Sequence, residues 1–312
     1  MITKQHSILV TVVTRNRPKN LDTFLNLISN QTLQPDKVLV IDNDSEPETK
    51  FVVEKHLVQN NKIKYLNTQT NGGSAGGQCV ALNYAAANNF DLVYTLDDDC
   101  EPTPTAIEKV YEKWLAQPDK DNVVLSGISL SLDDDTFSFA LWTIEKNIFA
   151  KNNTCYWSKN EIPDNKITDG IFWGWSHFFL GVLIPTKIIK RIGSVNRKYF
   201  IRGDELEYFV RLKESGVKLG AVIDSVVKHP KETSQNNNKA AEVKKYFTIR
   251  NNTDIRLTYY PDKKYNYTFY KLWLKFYPLF FNKHKAEYLA TKDAIEGNFN
   301  SSFDDIANLL KN

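Results

Sequence analysis

Apolar residues in the first hundred positions switch between two periods. Residues 8–13 (ILVTVV) form a short β-branched run, the pattern of a buried strand. Leu21, Phe24, Leu25 and Ile28 then recur at three- and four-residue spacing, which lines one face of a helix. Residues 37–41 read as a second strand, 51–58 as a helix and 63–66 as a third strand. A glycine-rich loop over 71–77 precedes an alanine-rich helix over 80–87. A fourth strand over 92–96 stops at Asp97, Asp98 and Asp99. Ile107, Val110, Tyr111 and Trp114 mark the next helix, with Pro102 and Pro104 ahead of it. This alternation predicts an α/β architecture, a mostly parallel sheet with helices on both faces. Ligands of such sheets bind beyond the carboxyl ends of the strands. Asp42, Asp44 and the triplet at 97–99 all fall at such ends.

The middle of the chain is less regular. Strands are predicted over 123–130, 137–143, 178–184 and 217–227, with a polar loop over 147–169. A helix follows the third of these strands as far as Arg191, and another spans 203–216, closed by its glycine. Residues 232–238 are polar and mark a boundary. They divide a catalytic region, 1–235, from a helical C-terminal appendage, 236–312. Within the first region, about 1–100 reads as one half and 101–235 as the other. From 263 to 285 there are six lysines, nine aromatics and no acid. Tyr267, Tyr270, Trp273, Leu274, Tyr277 and Phe281 recur there near helical spacing, with Lys271, Lys275 and Lys283 between them. Pro278 predicts a bent or two-piece element. This composition suits either packing on the catalytic region or peripheral contact with an anionic membrane.

Composition narrows the class only slightly. A chain of 312 residues, 42% hydrophobic and 25% charged, can bury a core without staples. A net charge of +3 gives no case for a nucleic-acid partner. Cys79, Cys100 and Cys155 are odd in number and show no CxxC spacing, so neither a disulfide framework nor structural zinc is expected. The first apolar run is too short for a signal peptide. No stretch reaches the roughly 18 apolar residues of a spanning helix. A cytoplasmic protein, peripheral to the inner face of a membrane, is the expectation.

Four groups of residues carry candidate chemistry. Aspartates at 97, 98 and 99 after a buried strand offer the oxygen ligands that Mg²⁺ or Mn²⁺ prefers beside substrate phosphates. Asp133, Asp134 and Asp135 are similar in sequence but read as a solvated turn. The run NGGSAGG at 71–77 permits close backbone approach to a ligand, and the helix after it presents free N–H groups to an anion. Asp204, Glu205 and Glu207 open a helix. One of the first two is a candidate general base, and Trp173 and Trp175 upstream offer faces for sugar stacking. His229 closes a late strand from which a further metal ligand can reach the aspartates.

The set Thr14-Arg15-Asn16-Arg17-Pro18, Asp42-Asn43-Asp44-Ser45, Asn71 to Gly77, Leu96 to Asp99, Asp204 to Glu207 with Arg211, and His229 resembles the family 2 inverting glycosyltransferases. It is most similar to their bacterial galactofuranosyl- and rhamnosyltransferase branch. The match in order covers roughly residues 7–230, and combined motifs are more specific than any one alone. The resemblance implies a GT-A fold. It places Arg17 and Asp42 at the nucleoside, and Asn71, Gly73 and Asp98 near the rest of the donor. Asp97 and Asp99 with His229 would hold Mn²⁺ or Mg²⁺. The base would be the second acid of the Asp204–Glu205 pair; the family often has aspartate there, so Glu205 departs from it by a methylene. The implied reaction is transfer from a nucleotide sugar, a UDP-sugar favoured, to a carbohydrate acceptor that lipid-linked glycans would supply. Galactofuranose is preferred to rhamnose as the sugar. A nucleotidyltransferase is the alternative enzyme, but the first strand leads into Thr14-Arg15-Asn16-Arg17-Pro18 and not into a glycine-rich loop. A carbohydrate- or membrane-binding module needs no metal and base together.

Overall fold

Neighbouring residues of the first strand point to opposite faces of the sheet, and the core divides accordingly. In β1 (Ile8–Thr14), Ile8, Val10 and Val12 pack with Leu21, Phe24, Leu25 and Ile28 of α1 (Pro18–Ser29). Leu9 faces the other way, with Leu39 and Ile41 of β2 (Lys37–Asp42). Proline at the first position of α1 costs nothing, since that N–H has no helical partner. The chain continues through α2 (Pro47–Gln59), β3 (Ile63–Asn67), α3 (Gly73–Ala87), β4 (Leu92–Asp97), β5 (Glu101–Pro102) and α4 (Ala106–Leu115). Ala75, Cys79, Leu82 and Ala85 of α3 cover one face of the sheet. Ile107, Val110, Tyr111 and Trp114 of α4 cover the other. The computed structural model describes residues 5–134, 136–144, 153–231, 239–260, 262–280 and 286–310.

The second half contributes β6 (Val123–Ser131), β7 (Leu141–Thr143), β8 (Cys155–Tyr156), β9 (Ile167–Thr168), β10 (Ile171–Trp175), β11 (Leu180–Pro185), α5 (Thr186–Ile192), α6 (Asp204–Glu214) and β12 (Lys218–His229). The strand order is β3-β2-β1-β4-β11-β6-β12-β10-β7-β8, with β5 on β12 and β9 on β10. Pairing is parallel among β1, β2, β3 and β4 and again between β6 and β12. Elsewhere it is antiparallel, because β11 reverses direction between β4 and β6. The sheet is therefore mixed, and the mostly parallel expectation holds for its first four strands.

Three other expectations are corrected. The glycine-rich run is not a loop ahead of its helix: α3 starts at Gly73, so Gly76 and Gly77 lie inside it. The strand expected over 137–143 reduces to an isolated bridge at Phe137 and the three residues of β7. The loop expected over 147–169 carries β8, β9 and two 3₁₀ turns in its described part. The boundary at 232–238, Asp135, Phe281 and Lys283 lie outside the described residues.

Four helices close the chain: α7 (Lys239–Tyr259), α8 (Lys263–Phe280), α9 (Ala286–Glu296) and α10 (Phe303–Leu309). Val243, Tyr246 and Phe247 of α7 form a small core with Ala286, Ala290 and Ile306, and Phe200 and Ile201 from the first region pack on it. α8 runs through Pro278 and stops two residues later. Trp273 and Tyr277 touch each other, and Tyr277 stacks on Tyr288 of α9. Of the expected aromatic stripe, Tyr277 is buried and Tyr270, Trp273 and Leu274 are half-buried, while Tyr267 is exposed. A second row, Tyr265, Phe269, Leu272 and Phe276, is exposed, at the i, i+4, i+7, i+11 spacing of one helical face. No helix among the described residues is long and apolar enough to cross a membrane.

Candidate active site

Register brings the first acids to one end of the sheet. Thr14 pairs with Asp42, and Val13 with Asp97, so β1, β2 and β4 all end there. Asp42 is fully buried. One of its oxygens accepts from the Ser45 N–H (2.8 Å) and the other from the Tyr65 hydroxyl (2.6 Å). Burial and this bond push the Tyr65 hydroxyl up to about 12. Asn71 lies just ahead of the glycine helix, whose N-cap is Gly72, and its Oδ1 accepts from the Gly73 N–H at 3.1 Å.

Arg17 ties the triplet together. Its Nη1 donates to Asp98 Oδ1 and to Asp99 Oδ2, each at 2.9 Å. Asp98 is buried and also accepts from the Thr14 hydroxyl at 2.7 Å. On the far side of Asp99 lies His229, with its Nε2 3.3 Å from Asp99 Oδ1. The Nδ1 of His229 is buried and has no hydrogen-bonding partner. Burial alone would raise Asp99, but the bond to His229, its charge and Arg17 outweigh this and hold it at about 2. Asp97 goes the other way. Burial first, then repulsion from Asp99, Asp98 and Glu205, raises it well above the usual carboxylate value. Asp134, the similar-looking acid, sits on the exposed surface and pairs with Lys231 at 2.9 Å.

The second acid group opens α6. Asp204 is buried beside Glu205. Burial and the neighbouring Glu205 raise its pKa well above the ordinary value. Glu205 is lowered: His177, Asp204 and Arg202 together outweigh the effect of burial. Of the pair, Asp204 is the acid that burial drives toward the protonated form, and Glu205 the one its neighbours favour as the carboxylate. His177 stands with Nε2 3.7 Å from Glu205 Oε1. Its Nδ1 lies against the Phe178 carbonyl, which can only accept, so the neutral ring carries its proton on Nδ1. Burial lowers the His177 pKa. Glu207 turns away from this site and binds Arg211 Nε at 2.7 Å.

A cavity of about 300 Å³ lies beside Glu205, lined by Phe139, Trp142, Trp157, Trp175, His177 and Arg202 among others. Phe139 sits between the two histidines, 4.1 Å from the His177 ring and 5.4 Å from that of His229. The cavity and the triplet are therefore adjacent. Trp175 lines the cavity and stacks with Trp142 at 6.4 Å. Trp173 does not. It packs against the core cluster of the first half, under the Lys218 ammonium, 3.4 Å from the ring centroid. The two tryptophans are separated because β10 changes partners between them, from β12 at Trp173 to β7 at Gly174. A Cβ at Gly174 would come within 2.2 Å of the Trp142 carbonyl, so only glycine allows this crossing.

Sequence reasoning missed His177, Arg202, Phe139, Trp142 and Trp157. His177 had a signal, being a histidine two residues past the tryptophan pair. Phe139 and Trp142 lie in the strand expected over 137–143, where nothing marked a role for them, and Trp157 and Arg202 come from irregular segments.

Among the described residues no three His, Cys, Asp or Glu side chains form a ready metal cage. The donor types nevertheless fit a divalent cation. A carboxylate and an imidazole nitrogen already converge at Asp99 and His229, and the charge on Asp97 is opposed by three other carboxylates.

The chain is similar to known proteins in sequence and in fold. The family described as Glycosyl transferase family 2 matches residues 9–169. The chain is 26% identical to the galactofuranosyltransferase GlfT1 of Mycolicibacterium smegmatis, over 80% of this chain and 83% of that one. It is 28% identical to GlfT1 of Mycobacterium tuberculosis, over 72% and 70% respectively. Among solved structures it is similar to GalNAc-T7, crystallised with UDP, GalNAc and Mn²⁺ (TM-score 0.62, 14% identity), and covers 97% of this chain and 56% of that one. It is also similar to S. aureus TarS (TM-score 0.52, 13% identity), covering 98% and 55%. The chain thus spans little more than half the length of these structural neighbours, which share the GT-A fold.

Proposed function

We propose that this chain, which belongs to glycosyl transferase family 2, transfers galactofuranose from a UDP-sugar to a carbohydrate acceptor with inversion. The supporting observation is the Glu205 carboxylate on the wall of an aromatic cavity whose Phe139 also packs against His229, the neighbour of Asp99. Glu205 takes the proton of an acceptor hydroxyl held against Trp175 and Trp142. The hydroxyl oxygen bonds to the anomeric carbon, the bond from that carbon to the diphosphate breaks, and UDP leaves with the electron pair. His177, its ring oriented by the Phe178 carbonyl, stands 3.7 Å from Glu205 and favours the carboxylate form. Arg17 and Asp42 attend to the nucleoside, and Asn71, Gly73 and Asp98 to the remainder of the donor. Asp99 and His229, with Asp97, would hold Mn²⁺ or Mg²⁺. That ion would supply charge neutralisation for the leaving diphosphate.

Galactofuranose is the sugar suggested by the GlfT1 relatives, with rhamnose next. The test is UDP or TDP release from a panel of nucleotide sugars, with the product analysed by mass spectrometry. Turnover of UDP-galactofuranose alone supports the reading, whereas exclusive use of another donor overturns it.

A second reading concerns where the acceptor is met. The exposed row Tyr265, Phe269, Leu272 and Phe276 stands on a helix without acids, beside Lys264, Lys271 and Lys275. Rings at headgroup depth and basic residues worth about 1 kcal/mol each suit an anionic bilayer. We assign this face to peripheral contact with the inner leaflet, where a lipid-linked glycan would be presented. Salt-sensitive co-sedimentation with anionic but not neutral liposomes, lost on Lys271→Glu/Lys275→Glu, supports it. Equal or absent binding to both vesicle types removes it.

A further inference from the structure

The turn that delivers the acid pair is held from outside the sheet. Phe200 (φ 63°), Arg202 (φ 66°) and Gly203 (φ 82°) are all left-handed. Side chains as large as the first two rarely adopt this region, and such conformations persist only where the surroundings impose them. Here the constraint comes from α7. The Nδ2 of Asn251 donates to the carbonyls of Tyr199 (2.9 Å), Ile201 (3.0 Å) and Arg202. An amide nitrogen has two hydrogens, so at least one of these bonds is shared. The Oδ1 of Asn251 accepts from Arg250 Nε at 3.0 Å, which fixes the direction of the amide. Arg250 also donates to the Tyr199 carbonyl at 3.3 Å. Both side chains are fully buried. Asp254, one turn further along α7, accepts from the Tyr199 hydroxyl at 2.7 Å.

The same turn reaches the donor side. The Phe200 carbonyl accepts from the Ala75 N–H at 2.9 Å, in the first turn of α3. Gly73 approaches so closely that a Cβ would lie 2.2 Å from that oxygen. One short turn therefore touches the glycine helix, α7 and the start of α6. Its last side chain before Gly203, Arg202, lines the cavity beside Glu205.

We infer that Asn251 is a positioning residue for transfer. By gathering the carbonyls of 199, 201 and 202, it sets where α6 begins and so where Glu205 and Arg202 point. This rests on the reading of Glu205 as the base. A purely structural Asn251 would affect stability while leaving the turnover of folded enzyme unchanged.

Asn251→Asp keeps the shape and replaces the donor with an acceptor; Asn251→Ala removes both. The full chain is assayed by UDP release from UDP-galactofuranose at a temperature where each variant is folded by circular dichroism. Asn251→Asp is expected to lower kcat by about tenfold to a hundredfold, the scale of a misplaced catalytic group, with donor KM unchanged. In a Glu205→Gln background the same change should cost little more, since residues acting through one group are not additive. Amide exchange over 199–206 should rise in Asn251→Ala, with β1 and β4 unaffected. Full kcat in Asn251→Asp, an equal loss in both backgrounds, or unchanged exchange over 199–206 overturns the inference. Wild-type turnover in Glu205→Gln alone removes the base assignment, and the exchange result still decides whether Asn251 holds the turn.

Discussion

At the end of β4, a permanently charged guanidinium lies across two carboxylates, whereas at the start of α6 an imidazole, His177, stands 3.7 Å from Glu205. The first site holds two buried acids pushed up, Asp97 and Asp98, and the second holds one, Asp204; each also holds one kept down, Asp99 or Glu205. The difference lies in what keeps the lowered acid ionised. Asp99 has Arg17 at 2.9 Å and His229 at 3.3 Å, and the guanidinium keeps its charge at any physiological pH. Glu205 faces an imidazole at 3.7 Å whose pKa burial lowers. A group clamped by a fixed cation suits charge storage and ligand binding. One beside an imidazole whose own pKa burial lowers remains free to accept a proton, as a base must.

The largest expected effect breaks the first site. Asp99→Ala should remove transfer almost completely, by about 10³-fold. EDTA should do the same to the native enzyme, reversed by Mn²⁺ or Mg²⁺. Full activity in the chelator would show that Asp99 serves only to hold Arg17. Next comes the second site. Glu205→Gln should lower turnover by about 10²-fold or more with donor affinity retained. If Asp204→Asn is the deeper lesion in steady-state kinetics, the roles within the pair are reversed.

Stability should separate the raised acids from the lowered ones. Folding raises the Asp204 pKa above its ordinary 3.8, so the folded chain keeps a proton that the unfolded chain releases. Its contribution is most favourable below the ordinary value and is lost as pH rises through the folded one. Asp99, lowered to about 2, contributes stability above 3.8 and loses it on acidification. Asp204→Asn should therefore raise Tm at neutral pH by about 2–4 °C and flatten its decline with pH. A lower Tm at pH 7 would mean that Asp204 is ionised and paired. The smallest expected change is at the aromatic wall. Trp175→Ala should raise the acceptor KM several-fold, in keeping with about 1 kcal/mol for an aromatic contact. Trp173→Ala should leave it unchanged and lower Tm instead; equal effects on KM would place both rings at the acceptor.

The first site was legible in the sequence because regular strands lead into it. Six or seven residues of alternating or continuous apolar character locate β1, β2 and β4, and Asp42 and Asp97 follow directly. Asp204 and Glu205 were found through the helix they open. The cavity between the sites was not. β7 has three residues and β8 two, too few for a period-two signal. Trp173 and Trp175 looked equivalent because spacing does not report that β10 changes sheet partner at Gly174. On α8 the helical period was correct, but the apolar stripe first chosen lies partly against α9, while the exposed row runs beside it. Spacing along one helix does not show which of two apolar rows a neighbour will cover.

The clasp between α7 and the 199–203 turn has a consequence for anyone exchanging parts between such enzymes. A graft that moved residues 101–235 from one chain into another, to change the acceptor, would separate Arg202 from Asn251. Its sheet would find the right strands and its motifs would all be present. The donated turn would meet a host helix shaped for a different loop, and the chimera would fold around an acid pair with no fixed aim. The exchangeable unit is the turn together with the helix that holds it.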